Sequence, residues 1–177
     1  MLFKGQHGIK YFSQYQRISR NIMFKSVLIV CIGNICRSPV AEGLLKHYSE
    51  KYNLDLDVAS AGVHALVGDN PQPHSQEMAV AHNLDISDYY AEQITQEMVS
   101  HYELIIALDE FIRKDLLHRY PFAAGKIKKL GFLNNNMDID DPYKKDKTAF
   151  VQMYADIDLC LQTWVEKVWQ APMVSQA

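Results

Sequence analysis

The chain has 177 residues, 48% of them apolar and 22% charged, with eight glycines and six prolines. This composition suits one globular domain with a sizeable core and excludes a collagen-like or low-complexity chain. The net charge of −3 argues against a dominant nucleic-acid footprint, which is normally basic, and no apolar run approaches the ~18 residues of a membrane span.

Residues 1–22 hold Lys4, Lys10, Arg17 and Arg20 and no acidic residue, so the net −3 resolves into +4 here and −7 over the remainder. Ile9, Phe12, Tyr15, Ile18 and Ile22 recur near helical spacing. A basic amphipathic segment can be a transit peptide or a membrane-surface helix. The expected reading is plainer: an extension that is disordered or not native, ahead of a start at Met23. Residues 23–177 are then a single domain. No apolar h-region follows the early basic residues, so no secretory signal is read. Three cysteines, Cys31, Cys36 and Cys160, do not build a disulfide framework. The expected compartment is a reducing cytoplasm, where a cysteine serves packing or chemistry.

Ser26 to Cys31 is a short continuous apolar run, which suits a strand buried on both faces. It ends at Gly33-Asn34, and a helix is expected from Ser38 as N-cap with Pro39 at its first position. Asp57 to Ala61, closed by Gly62, is a second strand. Gln76 to His82 and Thr95 to His101 read as short helices, the latter capped by Thr95. Leu104 to Leu108 is a third buried strand. Asp109 to Arg119 is helical and Pro121 stops it. Ile127 to Leu130 is a fourth strand, followed by a polar loop over Asn134 to Pro142. Phe150, Tyr154, Ile157, Leu161, Trp164 and Val168 make a core-facing stripe on the last helix. Strands alternating with helices predict an α/β fold, a parallel sheet with helices on both faces. Ligands in such folds bind beyond the carboxyl ends of the strands.

The segment Cys31-Ile32-Gly33-Asn34-Ile35-Cys36-Arg37-Ser38 occupies that position, with the form C-x5-R and then Ser before a helix. Successive N–H groups in a tight loop make an anion-binding nest, and the helix N-terminus adds positive potential. Gly33 permits unusual backbone angles and Asn34 tolerates a left-handed one. Arg37 offers a planar fork for two phosphate oxygens. The same fields favour the thiolate of Cys31, which would be a nucleophile facing a bound phosphoryl group. Ser38 could donate a hydrogen bond to that thiolate. The bland alternative is a small buried cysteine at a strand end. The C-x5-R spacing is moderate evidence; its placement between strand and helix is the stronger part.

Phosphoryl transfer from an ester oxygen needs an acid for the leaving group. By spacing alone Asp138, Asp140 and Asp141 are equivalent candidates. Pro142 fixes the backbone after the last of them, and Tyr143 can wall an aromatic pocket. Asp138-x-Asp140 would also suit an aspartyl-phosphate nucleophile, but such a pair should end a buried strand and here it follows three asparagines. The seven histidines show no zinc spacing. Lys144, Lys145 and Lys147 read as a solvated cluster, or as attraction for acidic phosphopeptides.

The stretch Val30 to Glu42 resembles the low-molecular-weight protein tyrosine phosphatase family, with Ser60-Ala61-Gly62 and Asp141-Pro142-Tyr143 at the family's usual separations. The resemblance runs from about Phe24 to Trp169. Ala61-Gly62 followed by Ala65-Leu66-Val67-Gly68 resembles the bacterial branch tied to capsule and exopolysaccharide export, which acts on tyrosine autokinases. The resemblance implies a four-stranded parallel sheet with the phosphatase P-loop between first strand and first helix, and no metal or other cofactor. It implies Cys31 as nucleophile, Arg37 as phosphate clamp and Asp141, rather than its neighbours, as general acid and then base. It places Ile32, Gly33, Asn34, Ile35, Cys36 and Ser38 around the phosphate, with Ser60 supporting the loop through Asn34. Leu66 and Tyr143 would shape the cleft for phosphotyrosine.

The chain departs from the family pattern where many members carry a histidine that buttresses the loop asparagine. Here Tyr89 stands near that position, so either its hydroxyl serves instead or the support is absent. Glu92 also replaces a common arginine. The family implies a disulfide between Cys36 and the nucleophile that guards against irreversible oxidation; the alternative is a packed loop thiol. Cys160 reads as a core thiol. An arsenate reductase on the same fold would carry two further reactive cysteines in a mobile loop, and residues 37–159 have none. A non-catalytic phosphotyrosine-binding module would be expected to lack the nucleophile or the acid.

Overall fold

The computed structural model describes residues 23–170. The basic extension over residues 1–22 lies outside the described residues, as does the end of the chain after residue 170. The elements run β1 (Ser26–Cys31), α1 (Arg37–Tyr52), β2 (Asp57–Gly62), α2 (Pro73–Ala81), α3 (Gln96–His101), β3 (Leu104–Ala107), α4 (Glu110–Arg119), β4 (Ile127–Lys129) and α5 (Lys147–Trp164). A 3-10 turn precedes β4, and a π-turn over Val165–Trp169 continues α5.

The four strands form one all-parallel sheet in the order β2-β1-β3-β4. Val27 to Val30 of β1 are wholly buried, because both faces of a central parallel strand are covered. Register runs from Ser26↔Asp57 to Cys31↔Gly62 on one side and from Val27↔Leu104 to Val30↔Ala107 on the other. The chain leaves β1 first toward β2, then returns across it to β3 and β4. Right-handed crossovers in opposite directions, from β1 to β2 and from β3 to β4, put α1 and α4 on opposite faces. α1, α2 and α5 pack together, while α4 packs on β3 and β4. The order therefore reverses beside β1, and the loop after Cys31 opens at that switch point.

The stripe on α5 is buried as its spacing requires, apart from the half-buried Val168. Trp164 Nε1–H donates to the Leu130 carbonyl at 2.7 Å, tying α5 to the segment after β4. Cys160 lies wholly inside this core. Thr95 caps α3 by accepting from the Met98 amide.

Two local expectations fail. α1 starts at Arg37, not after a Ser38 cap, and Cys36 stands at the cap position with no side-chain hydrogen bond. The Ser38 hydroxyl is committed elsewhere, to Cys31 and Asn34. The unusual backbone in the loop belongs to Asn34, at φ 57°, and not to Gly33. Asparagine accepts this geometry because its short polar side chain bonds locally.

Candidate active site

The loop from Cys31 to Arg37 is held by side chains behind it. Asn34 Nδ2 donates to Ser38 Oγ at 2.8 Å and to Ser60 Oγ at 2.9 Å, while its Oδ1 accepts the Glu92 amide at 2.7 Å. The Ser60 hydroxyl donates to Glu42 Oε2 at 2.6 Å, and Lys46 Nζ donates to Glu42 Oε1 at 2.6 Å. Because Ser38 Oγ accepts from Asn34, its O–H is left for Cys31 Sγ, 2.9 Å away. The Asn34 amide donates to the same sulfur at 3.2 Å. Two donors thus converge on the one sulfur.

The buttress of Asn34 is the backbone at Glu92. Tyr89 does not bond to Asn34; the Lys46 ammonium lies 4.9 Å from its ring centroid. Burial, with the Glu42 carboxylate nearby, raises the Tyr89 hydroxyl above its usual range.

The segment after β2 braces the loop from the side. Val63 N–H donates to the Cys31 carbonyl, His64 N–H to that of Ile32 and Leu66 N–H to that of Gly33, all at 3.0 Å. A side chain at Gly62 would collide with the Ile32 carbonyl oxygen, so only glycine permits this approach.

Arg37 is 1% exposed. Its Nη1 donates to Asp109 Oδ2 at 2.6 Å and to the Ile139 carbonyl at 2.9 Å, and its Nη2 donates to Asp141 Oδ2 at 2.9 Å. The Nε–H and a second Nη2–H remain for an anion. Asp109 also caps α4, its Oδ1 accepting the Ile112 amide at 2.8 Å. Sequence reasoning placed Asp109 inside a helix and missed this role. The available signal was its position just past the carboxyl end of β3, the strand beside β1.

Of the three acidic candidates, only Asp141 reaches the cleft. Its Oδ1 accepts the Tyr143 amide at 3.0 Å. Asp140 is exposed, and Asp138 turns to Lys129. Ile32, Gly33, Ile35 and Cys36 line the cleft with Cys31 and Arg37. Leu66 and Tyr143 form its walls, and His64 joins the rim. Asn34, Ser38 and Ser60 do not line it; they stand behind the loop and set its shape. Cys36 is a free thiol, like Cys31. Burial above all, then the charges of Cys31 and Asp141, pushes Cys36 up to about 12. Lys147 is paired with Glu77 at 2.8 Å, while Lys144 sits over the Tyr143 ring.

No helix among the described residues is long and apolar enough to cross a membrane. The family model for low molecular weight phosphotyrosine protein phosphatases matches residues 26–172. The chain is 37% identical over 146 residues to a probable low molecular weight protein-tyrosine-phosphatase, EpsP, of Ralstonia nicotianae, covering 82% of this chain and 97% of the relative. It is 35% identical over 144 residues to the protein-tyrosine-phosphatase Wzb of Escherichia coli K12, covering 81% and 95%. The solved structure of Vibrio vulnificus Wzb with benzylphosphonate superposes with a TM-score of 0.77 at 34% identity, covering 81% of this chain and 99% of that one. The chain belongs to the low molecular weight phosphotyrosine protein phosphatase family, and its activity is that of a protein-tyrosine phosphatase.

Proposed function

We propose that this phosphatase works through a cysteinyl-phosphate intermediate, with Cys31 as nucleophile, Arg37 as phosphate clamp and Asp141 as acid and then base. The observation that carries this reading is the bond between Arg37 Nη2 and Asp141 Oδ2 at 2.9 Å, on the same cleft as Cys31. The uncapped start of α1 and the free edge of Arg37 suit three phosphoryl oxygens.

The Cys31 thiolate attacks phosphorus in line. The P–O bond to tyrosine breaks, and the departing oxygen takes the proton of Asp141. The Asp141 carboxylate then takes a proton from water as that water attacks the thiophosphate. The P–S bond breaks and Cys31 leaves as thiolate, with the Ser38 hydroxyl donating to its sulfur. Loop amides and Arg37 stabilise the charge on the equatorial oxygens in both steps.

The substrate is a phosphotyrosine protein, a tyrosine autokinase that governs capsule or exopolysaccharide export, met in the cytoplasm. The names EpsP and Wzb of the relatives and the Ala61 to Gly68 stretch support this. Leu66 and Tyr143 suit a flat aryl group such as that of benzylphosphonate, the ligand of the Vibrio relative. Residues 23–177 act as one domain.

The test is hydrolysis of p-nitrophenyl phosphate and of a phosphotyrosine peptide without added metal. Cys31→Ser should be inactive. Asp141→Asn should lower kcat/KM on the peptide by ~10²–10³-fold, within the usual range for a general acid. Turnover by Cys31→Ser overturns the nucleophile, and an unimpaired Asp141→Asn overturns the acid.

A further inference from the structure

Lys129 is a buried lysine, 4% exposed, at the end of the edge strand β4. Its Nζ lies 2.8 Å from Asp138 Oδ1. That same oxygen accepts the Glu110 amide at 3.0 Å, in the first turn of α4. Burying an ammonium is costly unless a partner satisfies it, and any apolar residue would fill this place more cheaply.

The two ends of this ion pair are unequal. Lys129 is fixed by the sheet, opposite Ala107 of β3. Asp138 belongs to the irregular stretch between β4 and α5, and its side chain is half exposed. The pair therefore anchors the loop to the sheet. Immediately after Asp138, the Ile139 amide donates to the Leu108 carbonyl at 2.9 Å and the Ile139 carbonyl accepts from Arg37. Asp141 follows two residues later.

We propose that Lys129 is a positioning residue for the general acid: its ammonium, through Asp138, holds the Ile139–Asp141 backbone where Asp141 meets the leaving oxygen. This rests on Asp141 being the acid, as argued above. A displacement of about 1 Å at a reacting group can cost ~10²-fold in rate, so a loosened anchor has a visible kinetic effect.

The experiment measures kcat/KM over aryl phosphates whose leaving groups run from dinitrophenol to phenol, plus a phosphotyrosine peptide. An acidic phenol leaves without a proton; phenol and tyrosine need one. Lys129→Met keeps length and removes charge. It should lower kcat/KM ~10-fold for phenyl phosphate and the peptide, but only about twofold for dinitrophenyl phosphate. Lys129→Arg should restore most of the loss. Lys129→Met added to Asp141→Asn should cost nothing more, because the acid is already gone. An equal fall for every leaving group, or the same fall in the Asp141→Asn background, overturns the proposal and leaves Lys129 a stability residue. If Lys129→Met does not fold, Asp138→Asn, which has the same shape, carries the same series. An Asp141→Asn enzyme with no leaving-group dependence would overturn the acid itself. A steep Asp141→Asn profile beside a flat Lys129→Met profile overturns only the role of Lys129.

Discussion

Arg37 and Asp141 are 104 residues apart in the chain, yet Nη2 of one lies 2.9 Å from Oδ2 of the other. The proposed acid is thereby held against the proposed phosphate clamp. In the proposed mechanism a phosphoryl group entering between them offers oxygens to Arg37 and a leaving atom to Asp141, so one event exchanges the partners of both side chains.

Asp109 holds the other side of the guanidinium while capping α4. Asp109→Asn keeps an oxygen for the Ile112 amide but removes the charge facing Arg37. Hydrogen bonds to charged groups contribute ~1.5–3 kcal/mol, so kcat/KM should fall ~10–100-fold, and stability should fall too, because the buried guanidinium loses a charged partner. Asp109→Ala removes the cap as well, about 1 kcal/mol, and Tm should drop by a further ~2–4 °C. Steady-state kinetics and thermal melts on both variants check this.

The Asn34 side chain makes three hydrogen bonds at a left-handed backbone position. Asn34→Ala removes all three and adds strain of ~1–2 kcal/mol. The expected result is a ~10²-fold loss of kcat/KM, because Ser38 loses its orientation toward Cys31. Tyr89→Phe should stay within about twofold of wild type, since Tyr89 does not touch Asn34. A large loss in Tyr89→Phe would show that the buttress is not the Glu92 backbone.

Gly62 and Gly33 predict opposite outcomes. A methyl group at Gly62 meets the Ile32 carbonyl, whereas one at Gly33 would find Ile35 Cγ1 at an ordinary 3.5 Å. Gly62→Ala should lose ~1–3 kcal/mol of stability and weaken vanadate inhibition by shifting the phosphate loop. Gly33→Ala should melt close to wild type. Melting curves and vanadate titrations separate the two.

Thiol chemistry should single out Cys31. Burial pushes Cys36 up to about 12 and Cys160 up to about 11. A raised value means the thiolate appears only at higher pH, so both remain protonated and unreactive at pH 7. Iodoacetamide at that pH should add one label, on Cys31, and phosphate should protect it. Peptide mass spectrometry reads the site, and equal labelling of Cys36 would contradict the burial argument.

Much of the fold was legible because it depends on local pattern. Ser26–Cys31 and Leu104–Ala107 are uninterrupted apolar runs, and the α5 stripe has a helical period. Thr95 announced the start of α3. Ser38 misled because a serine before a proline has the look of a cap, while its hydroxyl was needed by a cysteine seven residues earlier.

The sequence by itself determined the order of strands and helices and the placing of Cys31 and Arg37 on one loop, since these follow from residues adjacent in the chain. Spacing left Asp138, Asp140 and Asp141 equal, and family resemblance alone favoured the last. Only the tertiary structure decided that Asp141 and Asp109 flank Arg37, that the Glu92 backbone supports Asn34, and that Lys129 pairs with Asp138, three residues before Asp141. Those relationships join different strand ends and loops. Their cause is the reversal of strand order beside β1, which gathers distant segments at one edge of the sheet and leaves no trace in the spacing of neighbours.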